Sequence, residues 1–357
     1  MRSFFTQKLL LWNEKSNRRA MPWKGEKDPY KIWLSEIILQ QTRVEQGWDY
    51  YLRFIKTFPT IKQLANAPET KVFKLWEGLG YYSRCKNLIA AAKIIHKAYN
   101  GKFPSSYEKI LELPGIGPYT ASAIASFAFN LPHAVVDGNV QRVVARVAGI
   151  SAPVDSTKGK ALMNQLAFDL LDKKQPGLYN QAIMDFGAAV CKPKAPLCSE
   201  CVMQRQCRAN ALGIVDQLPV KEKKIVKKSR WLYYYIIIYK TRVYIRKRTA
   251  RDIWQNLHEF LLVEKDHPLP EKNLLLQPPV SQLLNQNEAV VTQISKLYTQ
   301  QLTHQTIHGQ FIEIRVSRVP TLGTDFISVP YQELDNYAFP KFMVTYLQEK
   351  NVNLSQH

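Results

Sequence analysis

The sequence predicts a multidomain chain, an all-α domain followed by an α+β domain, and three observations carry that division. Turn signals punctuate residues 4–211 at helix-length intervals, with Ala- and Leu-rich stretches between them. Past residue 230, aromatic and β-branched runs take over, the signature of strands. Between these textures lie Gly213, Leu218-Pro219 and the basic run 221–228, which read as a linker. With 357 residues, 46% of them hydrophobic, the chain is long enough for two cores.

Taken in order, breaks fall at Pro22, Gly25, Asp28-Pro29, Pro59, Pro68, Gly78, Gly101, Pro104, Pro114 to Pro118, Pro132, Pro153 and Pro176-Gly177. Helices are expected between them, for example over Leu88–Ala98 and Thr120–Phe129. On a helix, Glu36, Gln40 and Arg43 would fall at i, i+4 and i+7, a polar stripe that suits either a solvated face or a site. Strands are expected at Trp231–Tyr239, at Val243-Tyr244-Ile245 and at Phe311–Val319. The expected boundaries are 1–211 for the helical domain, 212–229 for the linker and 230–357 for the second domain. No repeat at solenoid spacing is present.

Lys and Arg outnumber Asp and Glu by 49 to 29, a formal charge of +20. Such an excess suits a polyanionic partner, since each cation near a phosphate releases a counterion; a generally basic soluble protein is the plainer alternative. The apolar stretch Leu9–Trp12 is cut short by Asn13, Glu14 and Lys15, too short for a secretory or membrane segment. A cytoplasmic location with no membrane association is expected from this, and a monomer is expected as well.

Four of the five cysteines crowd into one loop as Cys191-x6-Cys198-x2-Cys201-x5-Cys207. Four thiolates so close in sequence read as metal ligation; an iron–sulfur cluster and a structural zinc both remain open on ligand chemistry. Lys192, Lys194, Arg205 and Arg208 are expected to favour their deprotonation. Cys85 stands apart and reads as a small buried side chain. In Leu113-Pro114-Gly115-Ile116-Gly117-Pro118-Tyr119-Thr120, Gly115 and Gly117 permit a tight turn whose N–H groups, with the following helix N-terminus, suit a phosphate oxygen; a plain turn is the alternative.

These motifs together resemble the endonuclease III and MutY family of helix-hairpin-helix glycosylases, and the resemblance spans nearly the whole chain. The cysteine spacing is similar to that family's [4Fe–4S] loop. The hairpin resembles its L-P-G-x-G motif, and Asp137-Gly138-Asn139-Val140 the aspartate segment that follows. Ser35-Glu36 through Gln40-Gln41-Thr42 resembles the S-E-x-x-L-Q-Q-T run of the adenine-excising branch. The resemblance implies that Glu36 protonates N7 of a flipped adenine and handles the attacking water. Asp137 would stabilise the oxocarbenium ion, with a covalent intermediate as an option, and Asn139 would orient either Asp137 or the water. Tyr119 stands where bifunctional relatives place a Schiff-base lysine, which implies a monofunctional enzyme.

The same resemblance places Arg19, Met21, Trp23, Lys24 and Gln181 in the adenine pocket, and Gln41 and Tyr81 as wedges beside the mismatch; Tyr82 reads as packing. Lys24 stands where relatives carry Arg, and lacks its planar fork. Trp254–Phe260 resembles a segment of the family's Nudix-like C-terminal domain, but no acidic Nudix box is present. That domain is expected to read DNA through Leu302-Thr303-His304, similar to an F-S-H loop that contacts 8-oxoguanine. The implied substrate is duplex DNA carrying A:8-oxoG or A:G in a bacterial nucleoid. The rivals are an oxidised-pyrimidine glycosylase and a non-catalytic cluster protein.

Overall fold

The structure is a computed structural model that describes residues 2–222, 227–286 and 288–354. These fall into two compact units, the described residues of 1–67 with 86–223 and those of 68–85 with 224–357. The helices run α1 (Arg2–Lys15), α2 (Pro29–Leu39), α3 (Val44–Thr57), α4 (Ile61–Asn66), α5 (Glu69–Trp76), α6 (Tyr82–Ala98), α7 (Tyr107–Leu111), α8 (Pro118–Phe129), α9 (Gly138–Ala148), α10 (Thr157–Leu170), α11 (Pro176–Ala189) and α12 (Arg208–Ala211). The second texture holds β1 (Lys228–Tyr239), β2 (Arg242–Lys247), β3 (His258–Glu259), β4 (Leu261–Lys265), α13 (Pro278–Gln286), β5 (Ala289–Ile294), β6 (Tyr298–Gln301), β7 (Gln305–Val316), β8 (Phe326–Pro330) and α14 (Lys341–Leu354).

In the helical unit the starts obey local chemistry. Asp28 caps α2 by accepting from Tyr30 N, with Pro29 at the first helical position, and Ser106 caps α7 through Lys109 N. The apolar faces of α1, α9, α10 and α11 close a core around Phe5, Leu9, Val143, Met163, Tyr179 and Phe186. Where α9 crosses α11, a Cβ at Gly187 would sit 2.7 Å from Asn139 Cβ, so the glycine lets the two helices approach at the site.

Two sequence expectations change here. The polar stripe of Glu36, Gln40 and Arg43 does not share a helix: α2 stops at Leu39, Gln41 takes a left-handed φ of 57°, and Arg43 caps α3. The linker is not free along its length either, because Leu218 is buried and Val154 N donates to Val220 O at 3.0 Å.

In the other unit, β1 pairs in parallel with β7 and antiparallel with β2 and β4 within an eight-stranded mixed sheet. Its run of tyrosines and isoleucines is explained by burial on both faces. Tyr233, Tyr235 and Ile237 share a core with Leu274 and with Val280 and Leu283 of α13, while Tyr234 stacks on Phe311 and meets Phe342 of α14. Strand β7 begins at Gln305, earlier than the Phe311 start expected from alternation, because its pairing with β1 extends from Gln305 to Val316. Residues 68–85, continuous in texture with the N-terminal helices, belong to this unit and bond to the segment before α14: Phe339 N donates to Glu77 Oε1 at 2.8 Å and Lys74 Nζ to Tyr337 O at 3.2 Å.

Candidate active site

A cavity of about 710 Å³ in the helical unit is lined by Glu36 from α2, Tyr119 from α8, and Asp137 and Asn139 at the start of α9. Arg19, Met21, Trp23, Lys24, Gln41 and Gln181 line it too, so ten of the side chains singled out in the sequence converge on one space. The hairpin places Tyr119 there. Gly115 takes φ +77°, and a Cβ on it would lie 2.6 Å from that of Asn87, so only glycine makes this turn without displacing α6. Gly117 then caps α8, with Pro118 at its first position.

Glu36 is 7% exposed and its pKa is pushed up to about 7. Burial is the main cause; the Tyr119 hydroxyl, donating to the carboxylate, opposes it, and the charge of Asp137 adds to it. Asp137 is also raised by burial, but bonds that favour its anion work against this. Val140 N donates to Oδ1 and Asn139 Nδ2 to Oδ2, both at 2.7 Å, so Asp137 doubles as the N-cap of α9. The two carboxyl groups thus meet different surroundings: one is held neutral by burial, the other is cradled by donors.

Sequence reasoning missed three residues behind this wall. Arg142, one turn on from Asn139, donates to Asn139 Oδ1 (2.9 Å), Gly187 O (2.7 Å) and Cys191 O (2.7 Å), which ties Asp137 through Asn139 to the start of the cysteine loop. Arg146 is 2% exposed and donates to Val215 O, Leu218 O and Lys192 O, with Nη1 3.5 Å from Cys191 Sγ. Asp185 on α11 is fully buried and accepts from Arg19 and Lys24. The available signal was helical spacing: Arg142 and Arg146 follow Asn139 on α9, and Asp185 lies one turn after Gln181 on α11.

Cys191, Cys198, Cys201 and Cys207 line one small apolar cavity beside Arg146 and Phe186. Among the described residues, no group of three or more His, Cys, Asp or Glu is gathered so as to hold a single metal ion. The four sulfurs are nonetheless a suitable donor set for a group larger than one ion. The expected effect of the loop's lysines and arginines is corrected: burial pushes the Cys201 thiol up to about 11 and raises Cys198 and Cys207, and the cation opposing this at Cys198 is Arg146. Cys85 is buried, as expected.

In the sheet-bearing unit, Leu302-Thr303-His304 form the turn from β6 to β7, closed by Leu302 N donating to Gln305 O at 2.8 Å. Leu302 and Thr303 are half-buried and His304 is exposed. Tyr81, 41% exposed with φ 49°, hydrogen-bonds through its hydroxyl to Thr303 Oγ1, which joins two motifs far apart in sequence. Tyr82 is buried and its hydroxyl accepts from Gly78 N, and His308 stacks on Trp231. No described helix is long and apolar enough to cross a membrane.

Comparison with known proteins adds to this geometry. Residues 34–166 match the HhH-GPD superfamily of base excision DNA repair proteins, and residues 233–349 match the NUDIX domain. An adenine DNA glycosylase of Buchnera aphidicola subsp. Baizongia pistaciae is 33% identical over 331 residues, covering 92% of this chain and 90% of that one. Human adenine DNA glycosylase is 41% identical over 223 residues, covering 60% of this chain and 41% of the human one. Among solved structures, a thermostable thymine-DNA glycosylase superposes with a TM-score of 0.55 at 29% identity, over 59% of this chain and 97% of that one. An endonuclease III in a non-covalent DNA complex shares the fold, with a TM-score of 0.51 at 19% identity over 59% of this chain and 96% of that one.

Proposed function

The chain belongs to the adenine DNA glycosylases of the HhH-GPD base excision repair superfamily, hydrolases of N-glycosyl bonds, and from that premise we propose which residues cut the bond and which mispair they serve. The observation that carries the reading is the pair Glu36 and Asp137, both buried in one cavity but in unlike surroundings.

Adenine in a duplex is out of reach, so it must be flipped into the cavity. Glu36 keeps a proton up to about pH 7 and donates it to N7, which lets the base leave neutral. The C1′–N9 electrons leave with the base, and Asp137, whose anionic form accepts from Val140 N and Asn139, faces the oxocarbenium ion that remains. Glu36, now ionised, takes the proton of the attacking water, and the sugar keeps a hydroxyl. Tyr119 donates to Glu36 and has no amine for a Schiff base, so the enzyme is monofunctional and leaves the strand intact.

Arg19, Met21, Trp23, Lys24 and Gln181 form the walls that hold the base. Gln41 and Tyr81, each exposed on left-handed backbone, enter the stack beside the mispair. Gly115 and Gly117 present the hairpin to a phosphate. Leu302, Thr303 and His304 read 8-oxoguanine opposite the adenine, with guanine as the weaker partner. Cys191, Cys198, Cys201 and Cys207 would hold a [4Fe–4S] cluster, which when bound cross-links the 191–207 loop without entering the bond-breaking step.

The test is a single-turnover assay on duplexes with A:8-oxoG, A:G and thymine glycol:A, scored before and after alkali. Adenine release followed by breakage only after alkali is expected, fastest opposite 8-oxoguanine. Release of thymine glycol, or breakage without alkali, overturns the reading. Iron and sulfide analysis of the purified protein checks the cluster, with a single zinc per chain as the contrary result.

A further inference from the structure

We infer that Asp185, which does not touch the cavity, is a positioning residue that sets the polarity of the cavity wall and thereby selects a 6-amino purine over a 6-oxo purine. The inference rests on the reading of the cavity as the adenine pocket.

Asp185 is completely buried, and four donors converge on its carboxylate. Arg19 Nη1 reaches Oδ1 at 2.8 Å and Lys24 Nζ reaches Oδ2 at 2.9 Å. Asn17 Nδ2 reaches Oδ2 at 2.8 Å, and Gln181 Nε2 reaches Oδ1 at 3.1 Å. Arg19, Lys24 and Gln181 line the cavity with Glu36 and Asp137; Asp185 stands behind them. Asn17, Arg19 and Lys24 belong to the irregular connection between α1 and α2, whereas Asp185 and Gln181 stand one turn apart on α11. A helix therefore fixes side chains that a loop alone would leave free to turn.

The consequence for Gln181 is directional. A carboxylate in ion pairs can only accept, so the amide must turn its NH2 towards Asp185 and its carbonyl Oε1 away. That leaves an acceptor at Gln181 and cationic donors at Arg19 and Lys24 on one wall. An exocyclic amine, as at C6 of adenine, can donate to such an acceptor; a C6 carbonyl, as in hypoxanthine or guanine, meets it lone pair to lone pair. Asp185 is also the shared counter-charge of these two half-buried cations, which without it would face each other across the wall. Replacing the carboxylate by an amide removes the directional rule, because an amide can donate as well as accept and Gln181 is then free to flip.

The test uses the full-length protein and duplexes carrying adenine, purine or hypoxanthine opposite 8-oxoguanine, under single turnover. For Asp185→Asn, the preference for adenine over hypoxanthine is expected to narrow by at least about tenfold, because the loss falls mainly on the substrate with the donor amine. Asp185→Glu, which keeps an acceptor-only group, is expected to recover most of that preference. Circular dichroism and the thermal midpoint of both variants separate unfolding from repositioning, and the preference is read on the folded fraction. An unchanged adenine-to-hypoxanthine ratio in folded Asp185→Asn overturns the inference, as does a Glu variant no better than the Asn one. If the unsubstituted protein releases no adenine, the pocket reading has failed instead, which a ratio measured on an active enzyme cannot mimic.

Discussion

Both units bury carboxylates; Asp185 of the helical unit and the buried acids of the sheet-bearing unit are ion-paired, and Glu36 is the contrast to them. In the helical unit Glu36 has no cation bonded to it, and burial holds its proton up to about pH 7. In the sheet-bearing unit the buried acids among the described residues have cationic partners: Glu259 pairs with Arg246 and Arg248, and Glu313 with Lys350. Asp252, bridged by Arg230 and Arg248, is held down to about 2, chiefly by its bond from Arg230. A buried acid left without a cation is a proton donor near neutral pH, while one given a cation is a structural anion. That contrast sets Glu36 apart as a group that exchanges its proton near neutral pH, while the unit that matches the NUDIX domain has its buried acids already matched to arginine or lysine.

The two environments also carry opposite signs for stability against pH. Asp252 is depressed, so its pairs stabilise fully above the unfolded value of about 3.8 and are lost as pH falls through about 2. Glu36 is raised, so the folded chain holds a proton that the unfolded chain has released. Its contribution turns unfavourable as pH rises from about 4.5 to about 7.

Breaking the proton donor should give the largest effect on adenine release. Glu36→Gln, which keeps shape but has no proton to give, is expected to slow single-turnover release by about a thousandfold or more; a loss under tenfold would end its assignment as the acid. Arg142→Lys removes the guanidinium fork that connects Asn139 to Cys191 O, and a fall of roughly 10- to 100-fold is expected, with the protein still folded. The pH profile is a sharper probe of the same contrast. Release should decline above about pH 7, approaching tenfold per pH unit, because the protonated form of Glu36 is the working one. A profile flat to pH 9 would contradict this.

Smaller effects test the boundary of the comparison. The Tyr119 bond lowers the Glu36 pKa, so Tyr119→Phe should move the alkaline limb upward, with less than about a tenfold change in maximal rate. In the sheet-bearing unit, Arg248→Met strips Glu259 and Asp252 of a shared partner and should cost about 3 kcal/mol of that unit's stability. Urea unfolding followed by hydrogen exchange measures it, and the single-turnover rate on saturating DNA should change less than about twofold.

Much of the fold was legible from local chemistry. Asp28-Pro29 and Gly117-Pro118 mark helix starts where α2 and α8 begin, and the aromatic β-branched run after residue 230 is β1. Glu36, Tyr119 and Asp137 were identified through motif resemblance, and they meet in one cavity. The stripe of Glu36, Gln40 and Arg43 was misread because helical periodicity assumes that the helix continues, and the left-handed turn at Gln41 ends it. Arg142, Arg146 and Asp185 were invisible for another reason. Each looks like one more charge on an amphipathic helix until tertiary contacts bury it against a partner far away in sequence.

The sequence by itself determined which residues have the right chemistry: two acids, a tyrosine in place of an amine, four thiols at family spacing, and an excess of positive charge. Only the tertiary structure decided what those groups become. Burial raises Glu36, donors from the first turn of α9 hold Asp137, and a carboxylate behind the wall turns the Gln181 amide. The reason is physical: a side chain's pKa and the direction of its hydrogen bonds depend on the solvent it has lost and the partners it has gained, and folding brings those partners from elsewhere in the chain.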